Sequence, residues 1–297
     1  MKKLLLIALC LVMLFTFSAC SGTQFLTQAK VNNLVKKYSD NGKLPQVEMT
    51  LSYKTTKNST PMQIKVVYEL LLDQTPISVI SFINLLNEGR YNNVVVDSKT
   101  STQMSIGRFA SFAPTTEGTT DNSQTSTEKV YLFAKADKTF VGEFKNNNFK
   151  GYGKSTEEDD RYAKFDLFSL AMYHDAPSSK SDSKAQQAEY KRAYNSANGR
   201  LILSLGSTAL NTAPNYKEYA VFARPVSFSV SIDGGEFSTP VTHLDSYLLT
   251  QLSSVTTKTV SINGTNYTPI QIDVSFQMVA GNFDWTKITD NYLVEAK

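Results

Sequence analysis

The sequence predicts a mainly β fold: a closed or nearly closed antiparallel barrel with helices at its ends. Many short segments alternate apolar and polar side chains, as half-buried strands do. Only two segments show convincing helical spacing, and Asn263-Gly264 is a strong hairpin-turn signal. Short strands separated by turn residues, with few helices between them, are typical of an antiparallel barrel.

The N-terminus has the features of a secretory signal peptide over residues 1–19. Two lysines precede an apolar run over 4–17, which is shorter than the roughly 20 residues that span a bilayer. The box "FSAC" ending at Cys20 resembles a bacterial lipoprotein signal, with Phe where Leu is usual. It predicts lipidation of Cys20 and an extracytoplasmic chain anchored to the cell membrane. The alternative is ordinary cleavage near Ala19, with Cys20 as a bystander.

Composition limits the mature chain and its partners. Removing residues 1–19 from 297 leaves 278, and the loss of two lysines lowers the net charge from +3 to +1. A nearly neutral chain argues against a nucleic-acid partner, which favours a clustered basic face. Cys10 lies in the discarded segment, so Cys20 has no internal disulfide partner. The length suits one large domain with insertions or two small ones.

The first half of the mature chain begins as a polar tether over 20–45, with a short helix near 31–38. Alternation predicts strands at 47–53 and 62–71, close enough to form a hairpin. The clearest helix is 75–89, in which Thr75 can cap the start, Pro76 suits the first turn and Gly89 suits the position past the end. A strand, a polar turn and a second strand follow in 91–107.

The second half alternates strands with polar insertions. We predict strand character in 130–149, strands at 200–206 and 219–232, an amphipathic helix at 243–255, and a hairpin in 258–279. Polar loop insertions are expected near 114–130, 155–165, 177–197 and 226–243, and residues 280–297 form a C-terminal tail.

Three segments, taken in order, resemble the cyclophilin-type peptidyl-prolyl cis-trans isomerases. They are "VVYELLLDQTPISVISFINLLNEGRYNN" (66–93), "FVGEFKNNNFKG" (140–151) and "NGRLILSLGSTALNTAPNYKEYAVFARPV" (198–226). The resemblance covers residues 46–279 and implies an eight-stranded antiparallel barrel capped by two helices. It also implies a groove that takes proline-containing peptides or secreted client proteins.

The resemblance also places groove residues, and most differ from the family pattern. Ser98 stands at the family's Arg, Ile106 and Arg200 at Gln positions, and Tyr219 at a His. The other expected groove residues are Met104, Arg108, Tyr173, His174, Ile202 as the floor of the proline pocket, and Asn215 near its wall.

The substitution at Ser98 bears directly on catalysis. Rotation about a peptide bond has a barrier of about 18–20 kcal/mol. The resemblance implies that an Arg donates to the prolyl nitrogen in the twisted state, which is differential binding of the transition state. Losing one preorganised donor costs on the order of 10²–10³ in rate in other enzymes. Ser98 is too short to replace a guanidinium, so we expect weak or lost isomerase activity unless Arg200 substitutes.

No other motif outweighs this interpretation. The chain has two histidines, His174 and His243, without a second ligand at metal spacing, so no metal or cofactor is expected. "EEDD" (157–160) reads as a solvated acidic turn and "GGEF" (234–237) as a turn. Three function classes remain open: a working prolyl isomerase, a barrel that binds peptide without efficient turnover, and a structural or adhesive surface lipoprotein that uses its insertions.

Overall fold

The computed structural model describes residues 25–40, 42–54, 61–92, 94–100, 102–107, 138–152, 162–174, 193–205, 218–244, 246–255, 260–262, 265–267, 270–279 and 285–295. Its helices are α1 (Gln28–Tyr38), α2 (Pro76–Asn87) and α3 (Ser246–Ser254). Its strands are β1 (Gln46–Tyr53), β2 (Met62–Leu70), β3 (Val94–Lys99), β4 (Gln103–Ile106), β5 (Lys138–Thr139), β6 (Leu170–Met172), β7 (Leu201–Ser204), β8 (Ala220–Ile232), β9 (Val260–Ile262), β10 (Thr265–Tyr267), β11 (Ile270–Met278) and β12 (Val294–Glu295).

Eight strands close into an antiparallel barrel in the order β1-β11-β3-β4-β7-β6-β8-β2, and β2 pairs back onto β1. The predicted mainly β barrel is therefore confirmed. The first and last barrel strands are neighbours, with register pairs from Val47↔Met278 to Tyr53↔Ile272. The β1–β2 pairing is the hairpin that the alternation of 47–53 and 62–71 predicted.

Alternation in the strands fills the barrel interior. Burial along β1 switches at every residue, and Val47, Met49 and Leu51 are fully buried. On β2 the same pattern buries Ile64 and Val66. Since successive side chains of a strand point to opposite faces, each strand contributes one apolar row to the core.

Helix α2 begins at Pro76, as predicted, but Thr75 does not cap it. The Thr75 hydroxyl donates to the Val221 carbonyl at 3.1 Å, and the cap comes from the distant Glu143 instead. The Glu143 carboxylate accepts hydrogen bonds from the backbone N–H groups of Ile77, at 3.1 Å, and Ser78, at 2.8 Å. A carboxylate at a helix N-terminus satisfies free N–H groups and favourably meets the helix dipole.

The described parts of the expected tether (25–40 and 42–45) and tail (285–295) pack against the barrel. Helix α1 buries Val31, Leu34 and Tyr38, because these apolar residues share one face of the helix. Near the other end of the chain, the Asp290 carboxylate lies 2.7 Å from Lys30 Nζ and 2.6 Å from Tyr38 Oη. The described part of the tether therefore contacts the described part of the C-terminal tail.

The expected insertions have different outcomes. The first part of the expected insertion at 226–243 is a continuation of β8, and the chain then folds back so that Phe228 and Val241 form a bridge. The hairpin signalled by Asn263-Gly264 pairs β9 with β10 in a sheet of its own, with the two turn residues outside the described ranges. The signal peptide, the insertion at 114–130 and most of 155–165 and 177–197 also lie outside them. Among the described helices, none has the length and apolarity needed to cross a membrane.

Candidate functional site

One row of cross-strand partners crosses the outside of the barrel, and we call it the outer row. It runs Ser98↔Ser105↔Ile202↔Ala171↔Val221 through β3, β4, β7, β6 and β8. Its last three members belong to a hydrophobic cluster separate from the barrel core. The outer row therefore forms the floor of a second, smaller apolar layer on the barrel's outer side.

The side chains of Met104 and Ile106 point into the barrel core. Both are fully buried in the main core cluster, and they pair with Leu203 and Leu201. This placement corrects the expectation that they line the same groove as Ile202, since a one-residue difference in a strand reverses the face. Gln103 and Ser105 alternate with them along β4 and take the outer side. The sequence carried this signal, because apolar residues of a half-buried strand face the core.

Arg200 and Tyr173 form a stacked pair beside the outer row. The Arg200 guanidinium carbon lies 4.0 Å from the centroid of the Tyr173 ring. The Tyr173 N–H donates to the Arg200 carbonyl at 2.8 Å, which fixes the two backbones side by side. Arg200 is two residues from Ile202, so it shares the outer face of the barrel. Stacking on an aromatic ring holds the planar guanidinium in one orientation.

Ile202, the predicted floor of the proline pocket, is covered by the chain's own side chains. Only 1% of its surface is exposed, within a cluster that includes Phe165 and against which Tyr173 and Tyr219 pack. The Phe165 and Tyr219 ring centroids are 5.6 Å apart. Burial raises the pKa of Tyr219, and a hydrogen bond with Gln103 partly opposes that shift. In the described part of the chain, aromatic rings occupy the space above the outer row.

His174 has a structural setting at the edge of this aromatic layer. Its ring stacks on Phe144 with centroids 4.5 Å apart, and Tyr194 meets it edge-on at 5.4 Å. Its Nε2 lies 2.7 Å from the Glu218 carbonyl oxygen. A carbonyl only accepts, so Nε2 carries the proton in this contact. The contacts tie the ring to neighbouring segments rather than aiming it at a reacting group.

Of the remaining predicted residues, one is exposed and the others lie outside the described ranges. Ser98 is exposed on β3 at the end of the outer row. Arg108, Asn215 and Cys20 lie outside the described residues. The structure thus brings together Ser98, Arg200, Ile202, Tyr173 and Tyr219 on the outer side, with His174 at its edge. Among the described residues, no group of three or more His, Cys, Asp or Glu side chains is placed to hold a metal ion.

Glu143 is a buried carboxyl that the sequence reasoning did not single out. It is 2% exposed, and burial raises its pKa to about 7 although hydrogen bonds from Ser78 and Ile77 oppose the shift. It lines a small cavity together with Thr75, Tyr219 and Val221. The carboxyl therefore lies behind the outer aromatic layer, where it caps the start of α2.

Comparison with known proteins gives matches among solved structures only. No protein-family model and no curated protein matches the chain. A Cryptosporidium parvum cyclophilin-type peptidyl-prolyl cis-trans isomerase is similar at 12% identity over 80% of this chain and 98% of that one, with a TM-score of 0.36.

Two further solved structures give similar values. A structure of the Cryptosporidium isomerase in the presence of the dipeptide ala-pro matches at 12% identity over 78% of this chain and 99% of that one, with a TM-score of 0.32. The mimivirus cyclophilin matches at 14% identity over 81% and 93%, with a TM-score of 0.35. These structures come from the family that the sequence motifs resemble, and at such TM-scores the architecture of this chain rests on its own strand pairing.

Proposed function

We propose that this protein is an extracytoplasmic lipoprotein whose barrel binds proline-containing segments of other proteins on its outer face, with weak or lost prolyl isomerase activity. One observation carries the proposal: Ile202, the expected floor of the proline pocket, is 1% exposed beneath aromatic side chains. A proline ring has no open pocket there in the described residues. Binding is then confined to the surface of the aromatic layer.

The chemistry of the outer face supports binding better than turnover. Isomerisation needs a donor that strengthens its hydrogen bond as the peptide twists. Ser98 is exposed and its side chain is short, so it offers no such donor near Ile202. Arg200 is the described guanidinium nearest to the outer row in the strand register, and its stacking on Tyr173 gives it a fixed direction.

Tyr173, Tyr219 and Arg200 are residue types that dominate binding energy at protein interfaces. Each is half-buried, so part of each side chain remains available to a partner. Aromatic rings with an apolar body and a polar tip suit the ring of a proline and the carbonyls beside it. The outer face therefore has the composition of a modest peptide-binding surface.

Localisation follows from the N-terminal motif. We infer that signal cleavage leaves Cys20 as the first residue, and that a lipid on its thiol anchors the chain outside the cell membrane. A single acyl chain gives marginal anchoring, whereas dual acylation is stable. Cys20→Ser is expected to release the protein from the membrane fraction. Unchanged fractionation of that variant contradicts the lipid anchor.

The alternative is a non-enzymatic surface lipoprotein that uses the barrel as an adhesive or protein-binding scaffold. The burial of Ile202 also favours this alternative, because a scaffold that binds its partner through other surfaces needs no open groove at Ile202. Two variants separate the ideas: Tyr173→Ala removes part of the outer face, and deletion of 177–197 removes an insertion. Loss of partner binding in the first variant supports the outer face, and loss only in the second supports the scaffold.

The deciding experiment is the isomerisation rate of an Ala-Pro peptide with the purified mature chain. We expect a rate about two or more decades below an ordinary cyclophilin, by analogy with loss of one preorganised donor. A normal rate contradicts the proposal. In that event Arg200→Ala tests whether its guanidinium supplies the missing donor, with Arg224→Ala as the matched control, since Arg224 is paired with Glu69.

A further inference from the structure

The described part of the chain begins at Phe25, five residues after Cys20. Phe25 stacks on Phe149 with ring centroids 5.6 Å apart and planes within 11°. Three residues later α1 begins, and its Val31 joins a buried cluster with Phe149 and Tyr162. The N-terminal end is therefore fastened to the body of the protein from residue 25 onward.

This attachment sets a short limit on the distance between the lipid and the barrel. Five residue steps separate Cys20 from Phe25, and they span at most about 18 Å when fully extended. With the lipid of the proposed function on Cys20, this short connection lets the start of α1 reach the headgroup region. Charges within about 10 Å of a surface interact with it at ordinary ionic strength.

Helix α1 presents basic side chains and no acidic ones. Its sequence, QAKVNNLVKKY, contains three lysines and no carboxylate. The buried stripe of Val31, Leu34 and Tyr38 faces the protein, so the opposite face is exposed. Lys36 is exposed near the centre of that face, and Lys30 and Lys37 lie along its side with 45% and 48% of their side chains exposed.

The local charge stays positive after its partners are counted. Asp290 binds both Lys30 and Lys37, at 2.7 and 2.9 Å. Asp73 lines the same cleft as Lys36, so three lysines and two aspartates leave a net charge of +1 around α1. Lys36 supplies the positive charge at the centre of the exposed face.

We propose that the exposed face of α1 rests on the anionic headgroups of the membrane that holds the lipid, and so fixes the orientation of the barrel. The proposal rests on the lipid anchor proposed above. A basic surface beside a single acyl chain is the second signal that turns marginal membrane binding into stable binding. Each lysine near an anionic surface strengthens binding by about five-fold.

The test uses the mature chain with one palmitoyl chain coupled through a maleimide to the Cys20 thiol. Binding is measured by co-sedimentation with phosphatidylcholine vesicles, with and without phosphatidylglycerol. The variant is Lys36→Glu, which changes the exposed face by two charges. The matched control is Lys54→Glu, because Lys54 is also exposed and follows the last residue of β1, a strand about 26 Å long.

On vesicles containing phosphatidylglycerol, we expect Lys36→Glu to weaken binding by about 25-fold, which is two charges at about five-fold each. Lys54→Glu should bind like the wild type, and all three proteins should bind equally to pure phosphatidylcholine. Equal losses in both variants, or no loss in Lys36→Glu, overturn the proposal. Since the acyl chain is attached chemically, the result is independent of whether Cys20 is acylated in the cell. That question is answered by the fractionation of Cys20→Ser.

Discussion

Glu143 should make the stability of this protein depend on pH in an unusual direction. Its carboxylate is fully buried and accepts hydrogen bonds from Ile77 N–H, Ser78 N–H and the Ser78 hydroxyl, the last at 2.9 Å. Burial nevertheless outweighs these bonds and raises the pKa from 4.5 to about 7. The folded state therefore holds this proton more tightly than the unfolded state does.

The sign and size of the effect follow from proton linkage. A raised folded-state pKa contributes stability below the unfolded value of 4.5, and that contribution is lost as pH rises through about 7. At 1.36 kcal/mol per unit, the difference corresponds to about 3 kcal/mol between pH 4.5 and pH 8. The variant Glu143→Gln cannot ionise, so its stability should lack this contribution.

The assay is urea unfolding of the mature wild type and Glu143→Gln at pH 5 and pH 8. We expect the stability difference between the two proteins to move by about 2.5 kcal/mol, with the wild type relatively more stable at pH 5. Ser78→Ala should destabilise more at pH 8 than at pH 5, since it removes a donor to the carboxylate. Ser81→Ala, buried on the same helix, is the control and should show no such difference. Parallel pH profiles for wild type and Glu143→Gln would refute the reasoning.

Three more predictions concern stability. Asp290→Asn should lower the free energy of unfolding by about 1–2 kcal/mol, because it weakens the contacts with Lys30, Lys37 and Tyr38. Burial raises the pKa of Asp290, but these contacts outweigh burial and lower the pKa overall. The loss of unfolding free energy in Asp290→Asn should therefore be complete above pH 4 and smaller in stronger acid. Equal losses at pH 2 and pH 6 would contradict this. Tyr91→Phe should cost about 1 kcal/mol in urea unfolding, since the hydroxyl donates to the buried Gly199 carbonyl at 2.7 Å. Ile202→Ala should cost about 2–5 kcal/mol through the cavity it leaves, and a loss below about 1 kcal/mol would show that the site is not packed as described.

The barrel was predictable from the sequence because local patterns determine it. The alternation in 47–53 and 62–71 specifies which side chains enter the core, and the structure buries those side chains. The predicted face of β4 was wrong because the family resemblance places Met104 and Ile106 in the groove, whereas the strand's own alternation places them in the core. That alternation assigns Gln103 and Ser105 to the outside.

The other misses involve partners that are distant in sequence. Ser78 and Glu143 are 65 residues apart, so no local motif links the cap to its helix. The contact between Tyr38 and Asp290 spans 252 residues, and it converts two apparent loose ends into one packed unit. The aromatic cover over Ile202 likewise comes from Phe165 and Tyr219, whose approach depends on the closed sheet.

The place of β11 in the barrel bears on how the chain folds as it is made. This strand fills the gap between β1 and β3, and its register reaches from Met278 back to Val47. A chain made from its N-terminus therefore leaves two strand edges unpaired until residue 278 has been added. Such edges are templates for wrong pairing, and non-local closure is slow. During synthesis the barrel is thus most open to wrong pairing just before its last strand, β11, is complete.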